Sequence, residues 1–195
     1  MNFENLIASS ATVDVYKNGN MAIKVFKEGC PKTMALYEAL THSRVEDTGL
    51  RIPTIHEVSV IGSRWAIHMD LIEGKTLADM MKENPSKMDE YIEQMVDIQM
   101  EIHSKKVPKL SKLKDKLSRQ INALESIDDV VRYELLTRLD SMPKHVKLCH
   151  GNFTPENIII NDTGVYVVDW GAARQGNASA DVGRTYLLLS LRDPA

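Results

Sequence analysis

The chain has 195 residues, 43% apolar and 26% charged, with a formal net charge of −3. That length supports a sizeable core and one or two domains. The charge balance gives no footprint for nucleic acid or an anionic membrane, and no apolar run approaches the roughly 18 residues of a membrane span.

The opening residues, MNFENLIASS, lack the basic start and long apolar core of a secretory signal, so a cytoplasmic protein is expected. Val13–Tyr16 and Met21–Phe26 are rich in β-formers and flank Asn18-Gly19-Asn20, which predicts a hairpin. Thr33 to about Asp47 predicts a helix. Ile55–Val60 and Trp65–Met69 predict a second strand pair across Ile61-Gly62-Ser63-Arg64.

From Lys75 the pattern becomes helical. Pro85-Ser86 opens a helix in which Met88, Tyr91, Ile92, Met95, Ile98 and Ile102 recur at helical spacing. Leu110, Leu113, Leu117, Ile121 and Leu124 mark another. Val131, Leu135, Leu136 and Leu139 mark a third, ended near Pro143. Ile158–Ile160 and Val165–Val168 form a short hairpin across Asn161-Asp162-Thr163-Gly164, and Ala178 to Leu191 is again helical. The cysteines, Cys30 and Cys149, are far apart and read as reduced thiols, and no His/Cys cluster has zinc-ligand spacing. Strands followed by helices make an α+β, bilobal plan, with 1–73 as one lobe, 74–195 as the other and a ligand cleft between them.

The chemistry concentrates between Cys149 and Gly171. His150-Gly151-Asn152 is followed five residues on by Asn157, and then, after the hairpin, by Asp169-Trp170-Gly171. This is the layout of a phosphoryl-transfer site: a catalytic loop, a metal-binding Asn and an Asp-X-Gly metal ligand. The oxygens of Asn157 and Asp169 suit Mg²⁺, which prefers hard ligands and bridges nucleotide phosphates. The alternative for Asp169 is a turn aspartate after a buried strand.

These residues, with Ala180-Asp181 and Ile72-Glu73-Gly74-Lys75-Thr76-Leu77, resemble the aminoglycoside phosphotransferase and choline kinase family over essentially the whole chain. The resemblance implies a protein-kinase-like fold, with a small antiparallel-sheet lobe carrying one helix and a mainly helical lobe carrying the catalytic hairpin. It implies transfer of the γ-phosphoryl group of ATP or GTP, with Mg²⁺, to a hydroxyl of an aminoglycoside-, choline- or sugar-like small molecule. Met21-Ala22-Ile23-Lys24 looks like the kinase strand whose lysine reaches nucleotide phosphates, with Glu38 as its partner and Lys27 as the rival. Ser9 and Ser10 fall where a phosphate loop belongs, although without glycine, and an ordinary serine turn is the alternative. Backbone groups of Asp70, Leu71 and Ile72 fall where the nucleobase is held. His150 holds the loop. Asp181 braces it or, alternatively, is an acid favoured by a helix N-terminus. Glu90, Glu93, Asp97 and Glu101 line one helix face, which reads as a solvated surface rather than an attractor for a polycation.

Two departures qualify the resemblance. Asn152 stands where the family has the aspartate that takes the hydroxyl proton; its carbonyl can orient a hydroxyl but is no base at neutral pH. General-base help is worth about 10²–10⁴ in rate, so impaired turnover is expected, with a pseudokinase-like nucleotide- or partner-binding module as the alternative. The family also continues with further helices beyond the equivalent of Leu191. Their absence leaves an apolar helix that expects a partner or self-association to cover it.

Overall fold

The computed structural model describes residues 5–191. Five antiparallel strands come first: β1 (Leu6–Ser9), β2 (Val13–Asn18), β3 (Met21–Phe26), β4 (Ile55–Ile61) and β5 (Arg64–Asp70), in the sheet order β1-β2-β3-β5-β4. Asn18 pairs with Met21, so Gly19-Asn20 is a two-residue turn, and Gly19 takes the positive φ of 62° that such a turn demands. β3 is the central strand. Ala22, Ile23, Lys24, Val25 and Phe26 are all buried, so both its faces are covered and Lys24 enters the interior. Helix α1 (Lys32–Glu46) packs against β4, β5 and the turn Trp170–Ala172.

The chain then passes Gly74. A Cβ there would stand 2.5 Å from the Ile160 carbonyl oxygen, so only glycine lets the backbone run this close to the later hairpin. β6 (Lys75–Thr76) pairs with β8 (Ile158–Asn161), which pairs with β9 (Gly164–Val167). Thr76 caps α2 (Leu77–Glu83) by accepting from the Asp79 amide at 3.0 Å. Three further helices follow: α3 (Met88–Ser104), α4 (Leu113–Asn122) and α5 (Asp129–Ser141), the last capped by Asp128. β7 (Lys147–Cys149) leads into the loop that begins at His150 and pairs with β10 (Arg174–Gly176), which leaves it. Asn177 caps α6 (Ala178–Ser190).

The α+β architecture is the one expected. The main core joins Val45 of α1 to Leu77, Tyr91, Met95, Ile102, Leu148, Phe153, Ile158 and Trp170, so the segment from Cys149 to Gly171 rests on buried apolar side chains. The inward face of α3 differs from the expected stripe. Tyr91, Met95 and Ile102 are buried, but Met88 and Ile92 are exposed, and Gln99 and His103 take inward positions. These two are tolerated because both are bonded: Gln99 to Thr185 at 3.0 Å and His103 to Asp181 at 3.0 Å. The short strands β1, β7 and β10 carry no alternating pattern and were not expected. Val182, Tyr186, Leu187 and Leu189 of α6 remain exposed. Among the described residues no helix is long and apolar enough to cross a membrane.

Candidate active site

β7 delivers Cys149 and His150 to the loop from the core side. His150 is fully buried, and its ring is placed by two contacts. Nε2 lies 3.0 Å from the Val168 carbonyl and so carries the proton, while Nδ1 accepts from the Asn152 amide at 3.2 Å. Trp170 packs on the ring with centroids 4.4 Å apart. Burial lowers the pKa of His150 despite nearby Asp169 and Asp181, so the ring is neutral and structural. It ties the loop to the end of β9 and faces no open cleft.

Asp181 braces the same loop from α6. Its Oδ2 accepts from the His150 amide at 3.0 Å and its Oδ1 from the Gly151 amide at 2.8 Å, with His103 beside Oδ2. Burial alone would raise its pKa, but His103 and the two amides outweigh it and hold the carboxyl below its usual value. The α6 N-terminus is therefore the position, but the bracing is the work, as the sequence allowed. Gly151 takes φ 77°, and a Cβ there would meet the Ala172 carbonyl oxygen at 2.7 Å. The loop thus lies directly against the segment after Asp169.

Asp169 itself is left-handed at φ 65° and ψ 56°, alone in positive φ among the described non-glycine residues. Such strain persists where surroundings over-determine it. Here they do: Oδ1 accepts from Lys24 Nζ at 2.7 Å, and Oδ2 from the Asn152 side-chain amide at 2.6 Å. Lys24 also forms an ion pair with Glu38 of α1. Burial pushes the Lys24 ammonium down, but the Glu38 and Asp169 carboxylates more than offset it and raise its pKa. Burial likewise pushes Asp169 up, and Lys24 and Asn152 reverse the sign and lower it. Gly171 keeps the way clear for this pairing, since a Cβ there would sit 2.7 Å from Glu38 Cγ.

Asn157 is drawn to the same place. Its side-chain amide donates to the Asn152 carbonyl at 2.8 Å, its own carbonyl accepts from the Val168 amide at 2.9 Å, and its Oδ1 is left for other work. The donor set fits a hard, oxygen-preferring dication shared with phosphates: one carboxylate and one amide oxygen, flanking the short β8–β9 hairpin on either side. It is no all-protein cage, since no cluster of three or more His, Cys, Asp or Glu is placed to hold a metal among the described residues.

Lys24, Glu38, Asn152, Asn157 and Asp169 therefore converge, with His150 immediately behind them. Ser9 and Ser10 are spent within their own turn: Ser9 donates to Asp14 at 2.6 Å, and Ser10 Oγ accepts from the Val13 amide at 3.2 Å. Lys27, the rival to Lys24, goes to that turn, donating to the Ser10 carbonyl at 2.6 Å. Asp70 closes β5 with its carboxylate turned to His56 at 2.7 Å, and the Leu71 amide donates to the Asn20 carbonyl at 3.0 Å. Sequence reasoning missed Arg184, whose Nε donates to the Gly151 carbonyl, and His103 as partner of Asp181. The inward i, i+4 placement of Gln99 and His103 on an otherwise apolar face was the available signal.

Residues 17–195 match the family model described as the phosphotransferase enzyme family. The chain belongs to that family. Solved aminoglycoside phosphotransferases share its protein-kinase-like fold. A thermostable mutant of APH(4)-Ia in its apo form superposes with a TM-score of 0.69 at 14% identity, covering 95% of this chain and 72% of that one. The same enzyme has been solved in a ternary complex with ADP and hygromycin B (TM-score 0.68, 14% identity, 95% and 72% covered). ADP-bound APH(2'')-Ib gives 0.60 at 20% identity, covering 91% and 68%. An aminoglycoside-3'-phosphotransferase of type VIII gives 0.63 at 17%, covering 97% and 77%. A search of curated protein sequences finds no match.

Proposed function

We propose that this phosphotransferase-family chain binds ATP with Mg²⁺ and transfers the γ-phosphoryl group to a hydroxyl of a small molecule. The observation that carries the reading is the convergence of Lys24, Glu38, Asp169 and Asn157 around one point, from a strand, a helix and a hairpin far apart in sequence. Family membership and neighbours solved with ADP support the nucleotide. The nucleotide sits between a lobe of residues 1–73 and a helical lobe of residues 74–195, with its base along the backbone of Asp70, Leu71 and Ile72, and the Ser9-Ser10 turn covers the phosphates.

Lys24, fixed by Glu38, neutralises phosphate charge. Asp169 and Asn157 would hold Mg²⁺, which would supply positive charge to offset that of the phosphates and the transferring group. Asn152 orients the acceptor hydroxyl. The acceptor oxygen forms a bond to the γ-phosphorus as the bond to the β,γ-bridging oxygen breaks, and ADP leaves. The hydroxyl proton goes to the transferred phosphoryl oxygens or to solvent, since Asn152 cannot take it. A loose transition state depends mainly on positioning and electrostatics, so the reaction proceeds, slowly.

One observation favours a second reading, a nucleotide-binding module without turnover. The Asn152 amide donates to Asp169, so a neutral side chain satisfies an oxygen that the metal also needs. Transfer of labelled γ-phosphate decides between the two. The wild type and Asn152→Asp are incubated with Mg²⁺, γ-labelled ATP and a panel of hydroxyl acceptors, with Asp169→Ala as control. Label in an acceptor, lost in the control, supports the kinase; ATP binding with no transfer by either protein supports the module. A partner or second copy over the exposed α6 face belongs to the same reading, and sedimentation at rising concentration tests it.

A further inference from the structure

Phosphoryl transfer places the acceptor hydroxyl in line with and opposite the leaving ADP, within reach of the loop that carries Asn152. Four cations gather beside that loop: Arg184 at its Gly151 carbonyl, Lys116 next to Arg174 and Arg184, and Arg119 next to Arg174. Arg184 of α6 donates to the carbonyl of Gly151, next to Asn152. Arg174 opens β10 directly after the Trp170–Ala172 turn that lies on the loop; its Nη1 donates to the Ala173 carbonyl at 2.6 Å, and its Cζ lies 5.2 Å from the centre of the Tyr37 ring. Lys116 and Arg119 come from α4, which is held on β10 by a bridge between Lys112 and Gln175 and by Leu113 seated against Gly176. Lys112, Lys116 and Arg119 share one face by helical spacing.

These cations crowd one another. Lys116 is half-buried; burial first, then Arg174 and Arg184, lower its pKa. Arg174 is only 9% exposed, and its buried Nε has no hydrogen-bond partner. Among the described residues no carboxylate lies within ion-pair distance of any of the four. A buried, unsatisfied guanidinium N–H with Lys116 and Arg119 close by is costly, and in native proteins such groups are normally matched. An oxyanion is the chemistry that matches them, because arginine forks bind phosphate and carboxylate with charge-assisted hydrogen bonds. The carboxylates that might attract a polycation stand elsewhere. Glu90, Glu93, Asp97 and Glu101 are exposed on α3, whose opposite side carries Gln99 and His103 toward α6.

We propose that the acceptor carries an oxyanion, a phosphate or a carboxylate, seated among Arg174, Arg184, Lys116 and Arg119 with its hydroxyl directed to Asn152. This rests on the phosphotransferase reading and narrows its acceptor from the cationic amino-sugars of the solved neighbours to acidic hydroxyl compounds.

The test is calorimetric titration of the full chain, with and without Mg²⁺ and ADP, using three matched probes: a hexose phosphate, a hexuronate and a hexosamine. The hexose phosphate, the hexuronate or both should bind, more weakly as salt rises, and the hexosamine should not. The two anionic arms tell phosphate from carboxylate. Lys116→Gln and Arg184→Gln should each weaken the anion by about tenfold or more, the loss of one charge-assisted hydrogen bond, while ADP affinity stays as in the wild type. Anions that fail to bind, anions that bind both variants as tightly as the wild type, or a preferred hexosamine would overturn the proposal. Failure of ADP to bind would instead sink the phosphotransferase reading, and the nucleotide-free titration still decides the anion seat.

Discussion

Asn152 departs most from the family pattern, and its contacts say what it does in its place. An aspartate here would set a second carboxylate where an amide now donates to Asp169 at 2.6 Å. Asn152→Asp should therefore melt lower than the wild type without metal, because like charges face each other, and recover with Mg²⁺. With metal and acceptor its turnover should rise by about 10²-fold or more, within the roughly 10²–10⁴ available to a general base. Melting curves with and without Mg²⁺, and initial rates, check both; a variant that melts identically in either condition would show that the amide is not facing the carboxylate. Lys24→Met leaves the Glu38 and Asp169 carboxylates partly buried without their cation. It should cost about 3 kcal/mol in denaturant unfolding, as a broken buried pair does. That Lys24, Asn157 and Asp169 come together was legible in the sequence because each sits in a motif with fixed spacing, and Glu38 was found as the acid of the following helix that the resemblance pairs with Lys24. Arg184, Arg174 and His103 were not, because their partners are backbone carbonyls, a ring and a carboxylate distant in sequence, and nothing local marks them.

Among the elements, the loop from His150 to Asn157 is held by its neighbours rather than by its own residues. β7 and β10 bring it in and out, α6 supplies Asp181 and α3 supplies His103. Asp181→Ala leaves the His150 and Gly151 amides buried without acceptors, at about 3 kcal/mol. Hydrogen exchange should then accelerate at those two amides more than in β3; uniform acceleration across the chain would mean that Asp181 supports the whole fold rather than the loop. The sequence showed the long elements well: α1, α3 and the β8–β9 hairpin all fall where they were expected. It did not show β7 or β10, three residues each, because so short a strand has no room to alternate. It also misjudged the inward face of α3, where hydrogen bonding makes polar Gln99 and His103 acceptable in place of Met88 and Ile92.

For the whole molecule, the buried titratable groups set how stability depends on pH. His42 and His150 both have lowered pKa values, each from burial first. Their neutral forms stabilise the fold fully above the unfolded histidine value near pH 6.5, and that contribution fades as pH falls below it. Asp169 and Asp181 are also lowered, so their contribution is complete above the unfolded carboxylate value near pH 4 and is lost as pH falls further. All four groups have the same sign. The melting temperature should decline in two stages on acidification, first below about pH 6.5 and again below about pH 4. A melting temperature that rises between pH 7 and pH 5 would contradict the buried neutral histidines.

The central claim is a working metal-nucleotide site, and a thermal melt of the full chain with and without Mg²⁺ and ATP tests it most directly. Ligand at about 100 times its dissociation constant adds about 2.7 kcal/mol, which for a chain of this size is a shift of roughly 5–10 °C. The account predicts such a shift only when both Mg²⁺ and ATP are present, and its loss in Asp169→Ala. A cooperative melt that neither Mg²⁺ nor ATP moves, or a shift that survives Asp169→Ala, would contradict it.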